Sequence, residues 1–214
     1  MMKKIFTYCL LFCGLITYSV ASADIVYLND NRYINHTMDS GPIYPTSDYA
    51  DFNEEWWAFE AGASQTSSVN NTGMSGTGST YAGYDAMFYG AQGTSLFDVT
   101  FTVDQLTDFT LNGSLDTSWW DSTLSVSLLE DGEEIFGLDN WTLPSDGLNL
   151  FATSGQMSSD STYQLILLSS SLDSEYYNET WQFELTTVSA VPVPAAVWLF
   201  MSGLAGLLIA ARRK

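Results

Sequence analysis

Residues 97 to 104 read Phe97-Asp98-Val99-Thr100-Phe101-Thr102-Val103-Asp104. Large apolar side chains alternate with polar ones without a break. Successive side chains of an extended strand point to opposite faces, so this period of two describes a strand with one face in a core and the other in water. An amphipathic helix would instead repeat its apolar positions every three or four residues.

The pattern recurs downstream. Phe109, Leu111, Gly113 and Leu115 continue it after a polar turn, and Leu124, Val126 and Leu128 alternate with Ser125 and Ser127. Glu130-Asp131-Gly132-Glu133 follows, where Asp-Gly supplies the positive φ of a tight hairpin with Ile135-Phe136 returning. Further strands are expected at Leu148 to Thr153, Tyr163 to Ser169 and Thr180 to Val188, with Trp181, Phe183 and Leu185 on one face. Short strands and polar turns with no amphipathic helix between them predict an all-β fold: an antiparallel β-sandwich, jelly-roll-like.

Upstream the pattern is weaker. Ile25 to Leu28 predicts a first strand, and Gly41-Pro42 and Pro45 a loop running to Asp51. Phe52 to Ala61 is ambiguous between strand and short helix. Gly62 to Gly78, rich in Ser, Thr, Asn and Gly, predicts a loop or flexible strand edge, with Gly73, Gly76 and Gly78 supplying flexibility. Tyr81 to Gly90 fits another strand.

Both ends differ from this body. Lys3-Lys4, an apolar run from Ile5 to Val20, and Ala21-Ser22-Ala23 form the basic, hydrophobic and small-x-small parts of a signal peptide over residues 1–23. Cleavage after Ala23 removes Cys9 and Cys13, so the exported chain is expected to hold no disulfide and no thiol ligand. At the other end, Pro192 and Pro194 hold the backbone extended. Seventeen uncharged residues, Ala195 to Ala211, then reach roughly 25 Å as a helix, near the lower limit for a bilayer core. Arg212, Arg213 and Lys214 follow, cations that the positive-inside rule keeps cytoplasmic. Ser202, Gly203, Gly206 and Ala210 give such a helix a small-residue face for packing in the membrane.

The segment 191–214 resembles the PEP-CTERM sorting signals of Gram-negative bacteria, in the variant Val-Pro-x-Pro-Ala: here Val191, Pro192, Val193, Pro194 and Ala195, then the apolar span and the basic end. Val193 stands where the strict form has Glu. The resemblance implies that an exosortase, a membrane protease-transpeptidase, recognises and cuts this tail. The protein would then pass from the inner membrane to the cell envelope or extracellular matrix.

Charge narrows the partners. Between Asp24 and Ala190 stand all twenty-five Asp and Glu but a single cation, Arg32, a formal charge of −24. Such a surface repels phosphate, so nucleic acid is excluded as a partner. The 167 residues of 24–190 suit one domain.

Catalytic chemistry has few carriers. With no mature Cys, no Lys and one His, a zinc tetrahedron lacks ligands, a Ser-His-Asp triad would have to use His36, which has no nucleophile elbow near it, and no cofactor or metal is expected. His36 is expected in an exposed loop. Glu54 and Glu55 beside Trp56-Trp57 are the best local pair for a glycan-acting hydrolase, but neighbouring strand residues face opposite ways. The acidic turn at Glu130 to Glu134 fits a solvated hairpin tip better than a calcium loop. Trp56, Trp57, Trp119 and Trp120 are candidates for stacking on sugar rings of an extracellular polysaccharide. The expected role is that of a non-catalytic exported surface or matrix protein, with a carbohydrate-binding module as the alternative.

Overall fold

The computed structural model describes residues 23–36, 40–45, 47–57, 61–83, 91–117, 122–139, 142–143, 147–172 and 177–189. The expected signal segment up to Ser22, the expected sorting motif, the apolar span, the basic end, Trp119 and Trp120 lie outside these residues. Among the described residues there is no helix, and so none long and apolar enough to cross a membrane.

The strands run β1 (Ile25–Asp30), β2 (Tyr33–His36), β3 (Ser40–Ile43), β4 (Phe52–Trp57), β5 (Ala61–Asn70), β6 (Gly73–Ala82), β7 (Gln92–Val103), β8 (Thr107–Thr117), β9 (Thr123–Glu130), β10 (Glu133–Asp139), β11 (Gly147–Met157), β12 (Tyr163–Leu172) and β13 (Tyr177–Ser189). They form two sheets of antiparallel strands. One is ordered β10-β9-β12-β7-β2-β3, with β1 also on β7; the other is β11-β8-β13-β6-β5-β4. From β7 to β13 the chain changes sheet at every step except the β9–β10 hairpin. There Asp131 (φ 51°) and Gly132 (φ 86°) take the left-handed conformation that Asp-Gly allows.

The alternating stretch sits at the centre. Phe97, Val99, Phe101 and Val103 of β7 point inward and are buried. They meet Leu111 and Leu115 of β8, Tyr163 and Leu165 of β12, and Trp181, Phe183 and Leu185 of β13 in one apolar cluster. Each fully buried large side chain contributes about 1.5–3 kcal/mol relative to exposure. Residues 23–188 form one compact unit around it.

Three expectations are corrected here. Apart from the turn at Asn71-Thr72, the stretch 62–78 is neither loop nor edge: it lies within β5 and β6, and β6 stands in the interior of its sheet. Its glycines mark close approach rather than flexibility. Trp181 pairs directly with Gly78 and Phe183 with Gly76. A Cβ on Gly78 would stand 2.3 Å from the Trp181 ring, and one on Gly73 2.4 Å from the Leu185 carbonyl oxygen. The aromatics of β13 fill the space that β6 leaves empty.

Second, Gly41-Pro42 belongs to strand β3. Proline is tolerated because β3 is an edge, where one side needs no N–H donors. Third, His36 is buried, not exposed: it lies in β2 with its ring 4.2 Å from that of Trp56, edge to face. Phe52–Trp57 resolves as strand β4.

At one end small residues replace the aromatics. Ala61, Ala82 and Ala91 form a minor cluster, and the backbones of Gly62 and Gly93 come so close that a Cβ on Gly93 would meet the Gly62 carbonyl oxygen at 2.1 Å. Nearby, Thr80 of β6 shares hydrogen bonds with Ser169 (2.6 Å) and Ser171 (2.7 Å) of β12, joining the two sheets through buried hydroxyls.

Candidate functional site

Two places in the sandwich gather polar chemistry, one inside and one outside. The inner one is built on Arg32, the only Lys or Arg between Asp24 and Ala190 and fully buried. A one-residue bulge at Leu28 shifts the register of β1 on β7 and brings Asp30 opposite the inward Val99. Arg32 follows in the break between β1 and β2. Its Nε donates to Asp30 Oδ1 (2.8 Å) and its Nη2 to Asp30 Oδ2 (2.7 Å), the paired geometry a guanidinium offers a carboxylate. Nη2 also donates to the Ala50 carbonyl (2.7 Å) and Nη1 to Ser67 Oγ (3.1 Å).

Asp30 further accepts from the Tyr49 N–H at 2.8 Å. Burial alone would raise its pKa, but Arg32 and the N–H donors outweigh burial and hold the carboxyl below its ordinary range. With both charges paired and hydrogen-bonded, this is a closed buried ion pair that leaves no group to act on a substrate.

The outer place is the solvent face of the sheet containing β4, β5, β6 and β13. Register fixes its rows. Trp57 stands beside Gly62, Tyr81 and Asn178, and Glu55 beside Ser64, Ser79 and Thr180. Asn53 stands beside Thr66, Thr77 and Gln182, and Ser68 beside Ser75 and Glu184. Four strands at about 4.8 Å spacing and four rows at about 6.8 Å make a platform roughly 14 Å by 20 Å. It carries hydroxyls and amides, two carboxylates and no cation.

Trp57 closes one end. It is 47% exposed, and its six-membered ring covers Gly62, where a Cβ would stand 2.1 Å from Cε3. Glycine at 62 therefore lets the indole lie against the sheet. Its Nε1 is 3.5 Å from Glu55 Oε2. Across the middle, Ser64 and Ser79 share a hydrogen bond (2.8 Å) and Thr66 Oγ1 donates to Asn53 Oδ1 (2.7 Å). Beyond them lies a depression of about 500 Å³ lined by residues including Asn53, Thr66, Ser75, Thr77 and Gln182.

The candidates picked from sequence are thus separated. Trp57 faces solvent on this platform, whereas Trp56 turns the other way, half-buried against His36. Trp119 and Trp120 lie outside the described residues. Glu54 and Glu55 are both exposed on opposite faces of β4, as strand alternation requires, so they do not converge on one bond. Among the described residues no group of His, Cys, Asp and Glu could hold a metal ion. The hydroxyl rows went unnoticed in the sequence. Their signal was the spacing of two in Ser64-x-Thr66-x-Ser68 and Ser75-x-Thr77-x-Ser79. No family model matches the chain, and neither does any curated protein.

Proposed function

We propose that this chain is an exported, non-catalytic surface or matrix protein, held in the inner membrane by its C-terminal segment until an exosortase-type protease cuts it near Pro192 and Pro194. One observation carries this: a proline pair, an uncharged span of seventeen residues and a cluster of three cations follow one another in fixed order after the sandwich. The prolines present an extended segment to the protease. The apolar helix keeps the substrate in lipid, with Ser202, Gly203, Gly206 and Ala210 as its packing face. Arg212, Arg213 and Lys214 fix its direction. Removal of residues 1–23 as a signal peptide delivers the acidic body to the outside. The repeated crossing of the chain between sheets from β7 to β13 supports a jelly-roll-like description of that body.

Mass spectrometry of the protein from its own envelope tests the proposal. A C-terminus ending near Pro194 is expected. An intact chain ending in Arg213-Lys214 leaves only a plain membrane anchor.

A second reading concerns what the body does once outside. The exposed Trp57 over Gly62, continued by rows of hydroxyls and amides, supports binding of a neutral polysaccharide. An aromatic face stacks on the apolar side of a sugar ring while the rows exchange hydrogen bonds with its hydroxyls. With no cation on the face, acidic glycans are disfavoured.

A further inference from the structure

Open sheet edges invite other strands, and proteins blunt them with charge, proline, bulges or brevity. Among the described residues, four of the five edges carry such devices. Strand β1 has six residues and is bulged at Leu28; β3 has four and includes Pro42. Strand β4 carries Glu54 and Glu55, and β10 carries Glu133, Glu134 and Asp139 together with a register shift after Glu134.

The fifth edge carries none. Strand β11, Gly147–Met157, is eleven residues long, pairs with β8 in unbroken register, and contains no charge and no proline. Among the described residues nothing pairs with its other side. It also turns Leu148 (63% exposed) and Leu150 (78% exposed) to solvent.

We propose that β11 is the surface through which two copies of this chain pair, antiparallel, extending their sheets across a twofold axis. Charge selects this occupant. A basic partner would be drawn to the acidic surface everywhere, including the acidic edges β4 and β10. A neutral edge instead suits a partner that is itself acidic elsewhere and would be repelled at any other approach, and a second copy meets that description. Antiparallel pairing is also the arrangement in which one strand can face itself about a twofold axis. Placing the axis at Leu150 sets Leu150 beside Leu150 and Leu148 beside Ala152, uniting the apolar half of the strand and leaving Ser154 and Gln156 outside. Because the remaining surfaces repel, association should strengthen as salt shortens the screening length from about 30 Å at 0.01 M to about 3 Å at 1 M. This inference is independent of the sorting and glycan readings.

Directly opposed strand residues have Cα atoms about 4.5–5.5 Å apart, within reach of a disulfide. The full chain, purified in detergent with Cys9→Ser and Cys13→Ser, is therefore given Leu150→Cys or, as a control on the neighbouring strand's outer face, Thr110→Cys. Each is treated with copper-phenanthroline at 0.01 M and 1 M NaCl. Leu150→Cys is expected to form the covalent dimer at least ten times faster than Thr110→Cys, and several times faster at high salt. A mixture of Leu148→Cys and Ala152→Cys chains should cross-link faster than either alone. Equal rates for Leu150→Cys and Thr110→Cys would overturn the proposal. So would cross-linking in whole envelopes that joins Leu150→Cys to a different polypeptide and never to itself.

Discussion

Trp181 of β13 occupies the space that a side chain at Gly78 of β6 would need: the two are direct cross-strand partners, and a Cβ at 78 would stand 2.3 Å from both Cε2 and Cζ2 of the indole. The same Cβ would press on Ser95 Oγ of the facing sheet at 2.5 Å. Trp181 is fully buried against Phe97 and Phe183, so it has nowhere to retreat.

Gly78→Ala is therefore expected to destabilise by at least about 2 kcal/mol, the cost of overpacking a close-packed core. Gly155→Ala offers the comparison. Its Cβ would meet Phe109 at 3.0 Å, an approach that a shift of a few tenths of an ångström relieves, and Gly155 itself is exposed. Urea titration followed by tryptophan fluorescence should rank Gly78→Ala well below Gly155→Ala. The reverse order would show that the indole is not wedged on Gly78.

That pair also explains where the sequence was legible. Strands β7, β8, β9, β12 and β13 announced themselves because their buried positions are Phe, Val, Leu, Tyr and Trp, which no other periodicity accommodates. Strands β5 and β6 bury Ala61, Ala63, Gln65, Ser67, Thr80 and Ala82, and small or polar residues carry no hydrophobic signal. Their burial is decided by their neighbours: Ala91 for Ala61 and Ala82, Ile34 and Phe52 for Ala63, Arg32 for Ser67, and Ser169 and Ser171 for Thr80. His36 misled for a related reason: a lone histidine in an Asn-rich segment looks exposed until the structure supplies Trp56 as its neighbour. On the outer platform Trp57 was legible as an aromatic. Its exposure was not, because choosing between Trp56 and Trp57 needs the register of β4.

Arg32 and Asp30 should behave as one unit. Arg32→Met leaves the buried Asp30 carboxylate without its cation, and Asp30→Leu leaves the guanidinium without its carboxylate. Each single change is expected to cost about 3–5 kcal/mol. The double variant should be far more stable than the sum of the singles, because two opposite charges are removed together. Simple additivity in denaturant melts would show that the pair is not coupled.

The same pair sets a pH dependence. Asp30 is held below its ordinary pKa, so its contribution is fully present above the unfolded value of about 3.9 and is lost as pH falls through the lower, folded value. Tyr27 works at the other extreme. Burial raises its pKa, and its hydroxyl donates to the carbonyls of Asn70 (2.6 Å) and Gly73 (3.1 Å). Its contribution is present below the unfolded value of about 10 and lost as pH rises beyond it. Stability profiles of the parent should fall at both ends. Subtracting the Asp30→Asn profile isolates the acid limb from the opposing relief of charge repulsion, and Tyr27→Phe should flatten the alkaline limb. An acid limb unchanged by Asp30→Asn would assign the loss to other carboxylates.

Trp57 and Trp56 give the last test, because neighbours on one strand face different surroundings. Trp57 presents an exposed ring beside Ser64, Ser79 and Thr66, and losing it removes a stacking surface while leaving the core intact. Trp57→Ala is therefore expected to weaken retention on a neutral polysaccharide about tenfold, equivalent to about 1.4 kcal/mol, with little change in stability. Trp56→Ala removes the partner of His36 and should do the opposite, lowering stability while the folded fraction still binds. Pull-downs on amylose, cellulose and agarose, with alginate as the acidic polymer that the −24 body should avoid, read out both variants. Retention of Trp57→Ala equal to the parent on every polymer that the parent binds would remove the platform from the binding role. A parent that binds none of the neutral polymers, or binds alginate best, would do the same.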